Sequence, residues 1–200
     1  MLRNLISAFV LLAAVTAFAE TSQKNSPKRK AASEISDNDV LEKAKQFEMG
    51  CQEGAPIDLQ KFTNKYRYKY ETEKNQEHET YFYMVSCLVG AYNTASVLFN
   101  NDSLSGSLQI VPLATPEYNE KTKKIIGWRS DAVNGGLSYD PKTKLLTSFS
   151  KGRGLGDIGT FATYAIFESM VILRKYESDT TMDGKVNPKV IYETKEPLVH

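Results

Sequence analysis

Between Pro56 and Thr194 the chain carries short apolar or alternating runs, separated by turn signals too closely spaced for a crossover helix to fit between them. Parallel neighbours need a connection of about a dozen residues or more, so these strands have to pair antiparallel. The fold class follows: mainly β, an antiparallel meander curled into a barrel or sandwich, with one short N-terminal helix.

Tyr81–Asn93 is the densest apolar run outside the N-terminus. Its apolar residues occupy both faces, as a strand covered on two sides requires. It breaks at Gly90-Ala91, and Thr94–Phe99 follows at once, which predicts a strand pair at the heart of a sheet. Before it, Lys65–Thr72 alternates Tyr66, Tyr68 and Tyr70 against charged residues, the pattern of a half-wet strand, and a polar loop over Glu73–Glu79 leads on. After it, strands are expected over Leu108–Leu113, Ile125–Arg129, Leu137–Tyr139, Leu145–Ser150 and Lys189–Thr194. Turns fall at Pro116–Lys124, Asn134-Gly135-Gly136 and Asp140–Thr143. Phe161–Tyr176 is apolar on both sides, and its β-branched and aromatic content favours two strands with a turn at Glu168-Ser169 over a buried helix.

Upstream the character changes. Met1–Ala19 has Arg3, an uncharged apolar run over Leu5–Val15, and small residues at Ala17 and Ala19. That is the pattern of a cleaved secretory signal peptide, with the cut after Ala19. The run is short of the about 20 residues a membrane-spanning helix needs, so no stable membrane insertion is expected after cleavage. Residues 20–36 read as a disordered polar linker with a basic cluster around Pro27. Asp37 or Asn38 can cap a short helix through Val40, Leu41, Ala44 and Phe47, with Gly50 as its stop. Residues 37–200 then form a single domain, periplasmic or secreted.

Export bears on the cysteines. Cys51 and Cys87 are the only two in the chain, and an oxidising compartment makes a disulfide between them the expected state. With 25 Lys and Arg against 24 Asp and Glu, nothing in the charge balance points to nucleic acid as a partner.

Gly154-Leu155-Gly156-Asp157-Ile158-Gly159 matches the dinucleotide pattern of glycines. That site needs a helix next and a βαβ frame, and the strand spacing supplies neither, so a glycine-bent loop is expected and no cofactor. In that loop Arg153 and Asp157 can project toward a ligand. Asp179, Thr181, Asp183 and Gly184 occupy calcium-loop positions, but Val190 stands where the bidentate Glu belongs; a turn is expected and no metal. His78, between Glu77 and Glu79, reads as a solvated loop residue, and His200 at the C-terminus is a poor catalytic base. No zinc helix or serine elbow accompanies either histidine. Trp128-Arg129 offers a stacking and charge platform, or a core tryptophan beside a surface arginine.

Two stretches carry a resemblance. Cys87-Leu88-Val89-Gly90-Ala91-Tyr92-Asn93 resembles the Cys-x-x-Gly-Ala-Tyr-Asn signature of the exported bacterial family called domain of unknown function 1176, and Gly152-Arg153-Gly154-Leu155-Gly156-Asp157-Ile158-Gly159 is similar to its Gly-Arg-Gly-x-Gly-Asp-Cys-Gly segment. The resemblance runs from about Tyr66 to the C-terminus. Ile158 replaces the expected Cys, and Met182-Asp183-Gly184 lacks a later Cys-Gly, which implies that this chain has lost a second disulfide present in relatives. The family implies an exported, tyrosine-rich domain and no assigned activity.

The functional expectation is a noncatalytic module that binds an envelope or extracellular protein or a small ligand. Its candidate site is Tyr92, Asn93, Arg153 and Asp157, with Trp128 and Arg129 beside them. The alternative is a carboxylate enzyme acting on cell-wall or host glycans, which needs two acids facing across a cleft. A third possibility is that Asn93 and Asp157 brace the fold by satisfying buried backbone groups.

Overall fold

A computed structural model describes residues 33–67, 77–103 and 105–196. The signal-peptide expectation, most of the linker, the Tyr68–Tyr70 end of the first strand and His200 lie outside the described residues. No helix among the described residues is long and apolar enough to cross a membrane.

Helix α1 spans Asp37–Ala44. Its N-cap is Ser36, not Asp37 or Asn38: Ser36 has extended backbone angles and its Oγ accepts the Asp39 N–H at 3.2 Å, as a capping hydroxyl should. The helix ends well before Gly50. Among the described residues twelve strands follow: β1 (Asp58–Arg67), β2 (Glu77–Val89), β3 (Asn93–Asp102), β4 (Leu108–Ile110), β5 (Leu113–Asn119), β6 (Lys124–Asp131), β7 (Val133–Asn134), β8 (Gly136–Asp140), β9 (Leu145–Lys151), β10 (Gly159–Phe167), β11 (Met170–Asp179) and β12 (Lys189–Glu193).

Among the described residues these strands make three antiparallel sheets, and no closed barrel is found. The first runs β1-β2-β3-β4 with β7 also on β3, the second runs β12-β11-β10-β9-β8, and β5-β6 is a separate two-stranded ribbon. As its apolar pattern demands, β2 is central, paired to β1 on one side and β3 on the other. Phe82 and Met84 join a core cluster with Leu137, Leu146, Tyr164 and Leu173 of the second sheet. Tyr83, Val85 and Cys87 face the other way and pack with Val40 and Ala44 of α1. Each of these side chains is almost completely buried, worth roughly 1.5–3 kcal/mol apiece for the larger apolar ones.

Three strand expectations need correction. The first strand begins at Asp58, not Lys65. Leu108–Leu113 is broken in two, because Pro112 has no N–H to continue a ladder; the chain leaves the first sheet there and restarts as β5. Pro116 belongs to β5, opposite Trp128, and the turn is confined to the residues just before Lys124. A ribbon strand has an open edge, which is where a strand proline is tolerated. The β10–β11 hairpin does turn at Glu168-Ser169, with Glu168 at φ +55°.

Asparagine side chains tie the first sheet to the second. Asn64 Nδ2 donates to Glu168 O at 2.9 Å and Asn100 Nδ2 to Ser169 O at 3.0 Å, both at the β10–β11 turn. Asn93 does the same at the opposite end of β3.

Candidate functional site

The β2–β3 turn, Gly90 to Tyr92, meets the β9–β10 loop at one end of the fold. Gly90 supplies φ +57°, and Asn93 opens β3 directly after the turn. Its Nδ2 donates to Lys151 O at 3.0 Å while its Oδ1 accepts the Lys151 N–H at 2.9 Å. The side-chain amide thereby completes the last residue of β9 as a neighbouring strand would. Beside it, the Tyr92 ring lies over the backbone of Gly154; a Cβ there would sit 2.8 Å from the ring. Only glycine permits that approach.

Within the loop, Arg153 Nε donates to Asp157 Oδ1 at 2.6 Å, and its Nη2 reaches Asp157 Oδ2. Asp157 Oδ2 also accepts the Gly184 N–H at 3.0 Å from the β11–β12 loop. Asp157 is 1% exposed, and the Arg153 hydrogen bonds, with help from Gly184, hold its carboxyl down to about 2 against the opposing effect of burial. Hydrogen bonding to Asp157 raises Arg153 in turn. The pair is spent inside the molecule: it locks the loop and fastens it to a third segment. That third segment carries Met182-Asp183-Gly184, so the Gly184 N–H hydrogen bond to the Asp157 carboxylate, itself fixed by Arg153, joins the region of Ile158 to the region of Gly184.

The bracing leaves apolar side chains outside. Tyr92 is 59% exposed, Leu155 77%, Met182 75% and Val186 60%, all on the three loops gathered around Asp157. Tyr92 was legible as a candidate in sequence; Leu155, Met182 and Val186 were not, since an exposed apolar residue looks like any other until its surroundings are known.

Among the described residues, Trp128 and Arg129 take no part in the Asn93 and Asp157 hydrogen bonds; β6 sends them to different surroundings, and Arg129 shares a cleft with Ser150, next to the Lys151 that Asn93 holds. Trp128, half exposed, meets Tyr192 edge to face at 5.1 Å, whereas Arg129 Nε pairs with Asp131 Oδ2 at 2.9 Å beside a cleft under the β5–β6 ribbon. His78 is corrected: it is buried in β2, with Nδ1 3.1 Å from Ser103 Oγ and its ring stacked on Tyr66. The charged neighbours Glu77 and Glu79 simply alternate to the other face of the strand. Asp179 accepts from Thr181 N–H and Oγ1 and from Asn187 N–H, and so builds the turn expected there; these bonds keep its carboxyl below the usual range. Among the described residues no three of His, Cys, Asp and Glu gather as a metal-ligand group. Cys51 and Cys87 form a disulfide with Cα atoms 5.5 Å apart, anchoring the segment after α1 to β2.

The two signature-like segments therefore pack directly on one another, and the family comparison bears on the whole arrangement. The family model described as "Protein of unknown function (DUF1176)" matches residues 13–184. The chain belongs to the DUF1176 family. The match starts well before Tyr66, where the resemblance begins, taking in α1, both cysteines and β1 as well as the two motif segments, and it stops at Gly184, short of β12 and the C-terminus that the resemblance includes. Within this DUF1176 chain the motif residues Asn93, Gly154 and Asp157 do structural work at one end of the fold. No curated protein and no solved structure matches the chain.

Proposed function

We propose that this DUF1176 protein is an exported, noncatalytic binding module that docks a protein partner through the loop end built around Asp157. The observation that carries this reading is the contrast within one cluster. Asn93, Gly154 and Asp157 are committed to fixing three loops, while Tyr92, Leu155, Met182 and Val186 stand exposed on those same loops. Apolar side chains held rigidly in water cost free energy unless something covers them, and pre-fixed loops lose little entropy when they dock. Arg153, still 37% exposed at its side chain, adds a charged rim. The partner is an envelope or extracellular protein, in keeping with a disulfide-bonded chain.

The glycan-hydrolase alternative has less to stand on. The acids bordering the cleft beside the glycine loop are Glu120 and Asp179. Asp179 is held low by its hydrogen bonds, the opposite of what a proton donor to a leaving group needs. Affinity capture with wild type and a Leu155→Asp variant tests the docking proposal: the variant keeps the fold and loses the partner.

A further inference from the structure

The inward row of the second sheet changes character along its length. On β9, buried Leu146 is followed by Ser148 and Ser150; on β10, Ile166 and Tyr164 give way to Ala162 and Thr160; on β11, Leu173 and Tyr176 give way to Ser178. The strand registers set Ser150, Thr160 and Ser178 side by side, a row of three hydroxyls across three strands. The β5–β6 ribbon roofs this floor. Tyr118 Oη donates to Ser178 Oγ at 2.6 Å and Tyr164 Oη to Ala114 O at 3.2 Å. Beneath the ribbon lie two clefts of about 230 and 190 Å³, and both are lined by Ser150 and Thr160.

A row of hydroxyls facing inward is a poor way to build a core, because each one costs desolvation that an apolar residue would not. It is a good way to hold a ligand that offers donors and acceptors together. Arg129, at the mouth of the smaller cleft, is paired with Asp131 at 2.9 Å, and the larger cleft adds Glu120, Lys151 and Asp179 at its rim, so the hydroxyl floor is flanked by both donors and acceptors. Tyr176 also lines the smaller cleft, where burial keeps its phenol protonated. The two clefts share Ser150 and Thr160, and each is smaller than the roughly 300–1,000 Å³ of a drug-sized site, so the ligand they fit is a small one. We infer that the Ser150–Thr160–Ser178 floor beneath the ribbon binds a polyhydroxylated ligand, a saccharide of one or two sugar units. The larger cleft borders the glycine loop through Lys151, Gly152 and Ile158, but Tyr92 and Leu155 line neither cleft, so the saccharide reading is tested independently of the docking one.

The test is a titration of the purified protein followed by amide chemical shifts, with cellobiose and chitobiose as saccharide probes and inorganic phosphate as the anion arm. The inference predicts saturable shifts centred on Ser148, Ser150 and Thr160 with at least one disaccharide. Ser150→Ala, at a half-buried position, weakens binding roughly three- to tenfold, the worth of one hydrogen bond, without lowering Tm; Thr160→Val does the same as a second variant. The inference is overturned if neither disaccharide gives saturable shifts there, if phosphate alone shifts those amides, or if Ser150→Ala and Thr160→Val both bind as wild type does.

Discussion

Asn93 and Lys151, 58 residues apart in sequence, exchange two hydrogen bonds: the Asn93 amide donates to the Lys151 carbonyl at 3.0 Å and accepts its N–H at 2.9 Å. One side chain thus stands in for a strand and joins the first sheet to the end of β9. Asn93→Ala strands both backbone groups of Lys151. The expected cost is about 1–3 kcal/mol, read as a Tm lower by several degrees in thermal unfolding. Asn93→Asp keeps the acceptor and loses the donor, and it should fall between wild type and the alanine variant.

Tyr92 and Gly154 are coupled by contact. Gly154→Ala forces the ring to move, since the new methyl would sit 2.8 Å from it; the ring is 59% exposed and can swing toward solvent, so the cost is about 1 kcal/mol, below that of an overpacked core. In a Tyr92→Ala background the same substitution meets open space and costs much less. A double-mutant cycle in denaturant therefore returns a coupling energy well above the few tenths expected of independent sites.

How much of this was legible beforehand depends on range. The β10–β11 hairpin was, because a two-sided apolar stretch interrupted by Glu168-Ser169 is a local pattern. The ends of β1 and the break at Pro112 were less so, since a strand's end is decided by which partner is opposite it. The role of Asn93 was only a possibility, because nothing near it in sequence marks Lys151 as its partner. His78 was misread for a related reason: its charged neighbours describe one face of β2, and the burial of the other face is set by strands that sequence proximity does not reveal.

The Cys51–Cys87 disulfide closes a 36-residue separation around β1 and most of β2. Chain-entropy arguments give it about 3–4 kcal/mol. Replacing both cysteines by serine should lower the denaturant midpoint accordingly, and adding reductant to wild type should reproduce the effect while leaving the double variant unchanged.

Asp157 makes stability fall on acidification. Its folded value of about 2 lies below the ordinary aspartate value of about 3.9, so its contribution is fully present above about pH 4 and is lost as pH drops through 2. Asp157→Asn is predicted to be less stable than wild type at pH 7, with the gap narrowing between about pH 4 and pH 2. Asp140, also held low by its hydrogen bonds, is the same in both proteins, whereas Asp179, held low by Thr181 and Asn187, is pushed partly back up by the Asp157 charge, so the difference between the two melting curves reports Asp157 together with its coupling to Asp179.

The most direct measurement of the docking claim is affinity capture from envelope and culture fractions, comparing wild type with Leu155→Asp and Met182→Asp variants that melt at the wild-type temperature. Both positions are more than 70% exposed, so the fold should tolerate the charge. The account predicts a protein retained by wild type and lost by both variants. Retention of the same protein by the two equally stable variants, or no retained protein at all, would contradict it.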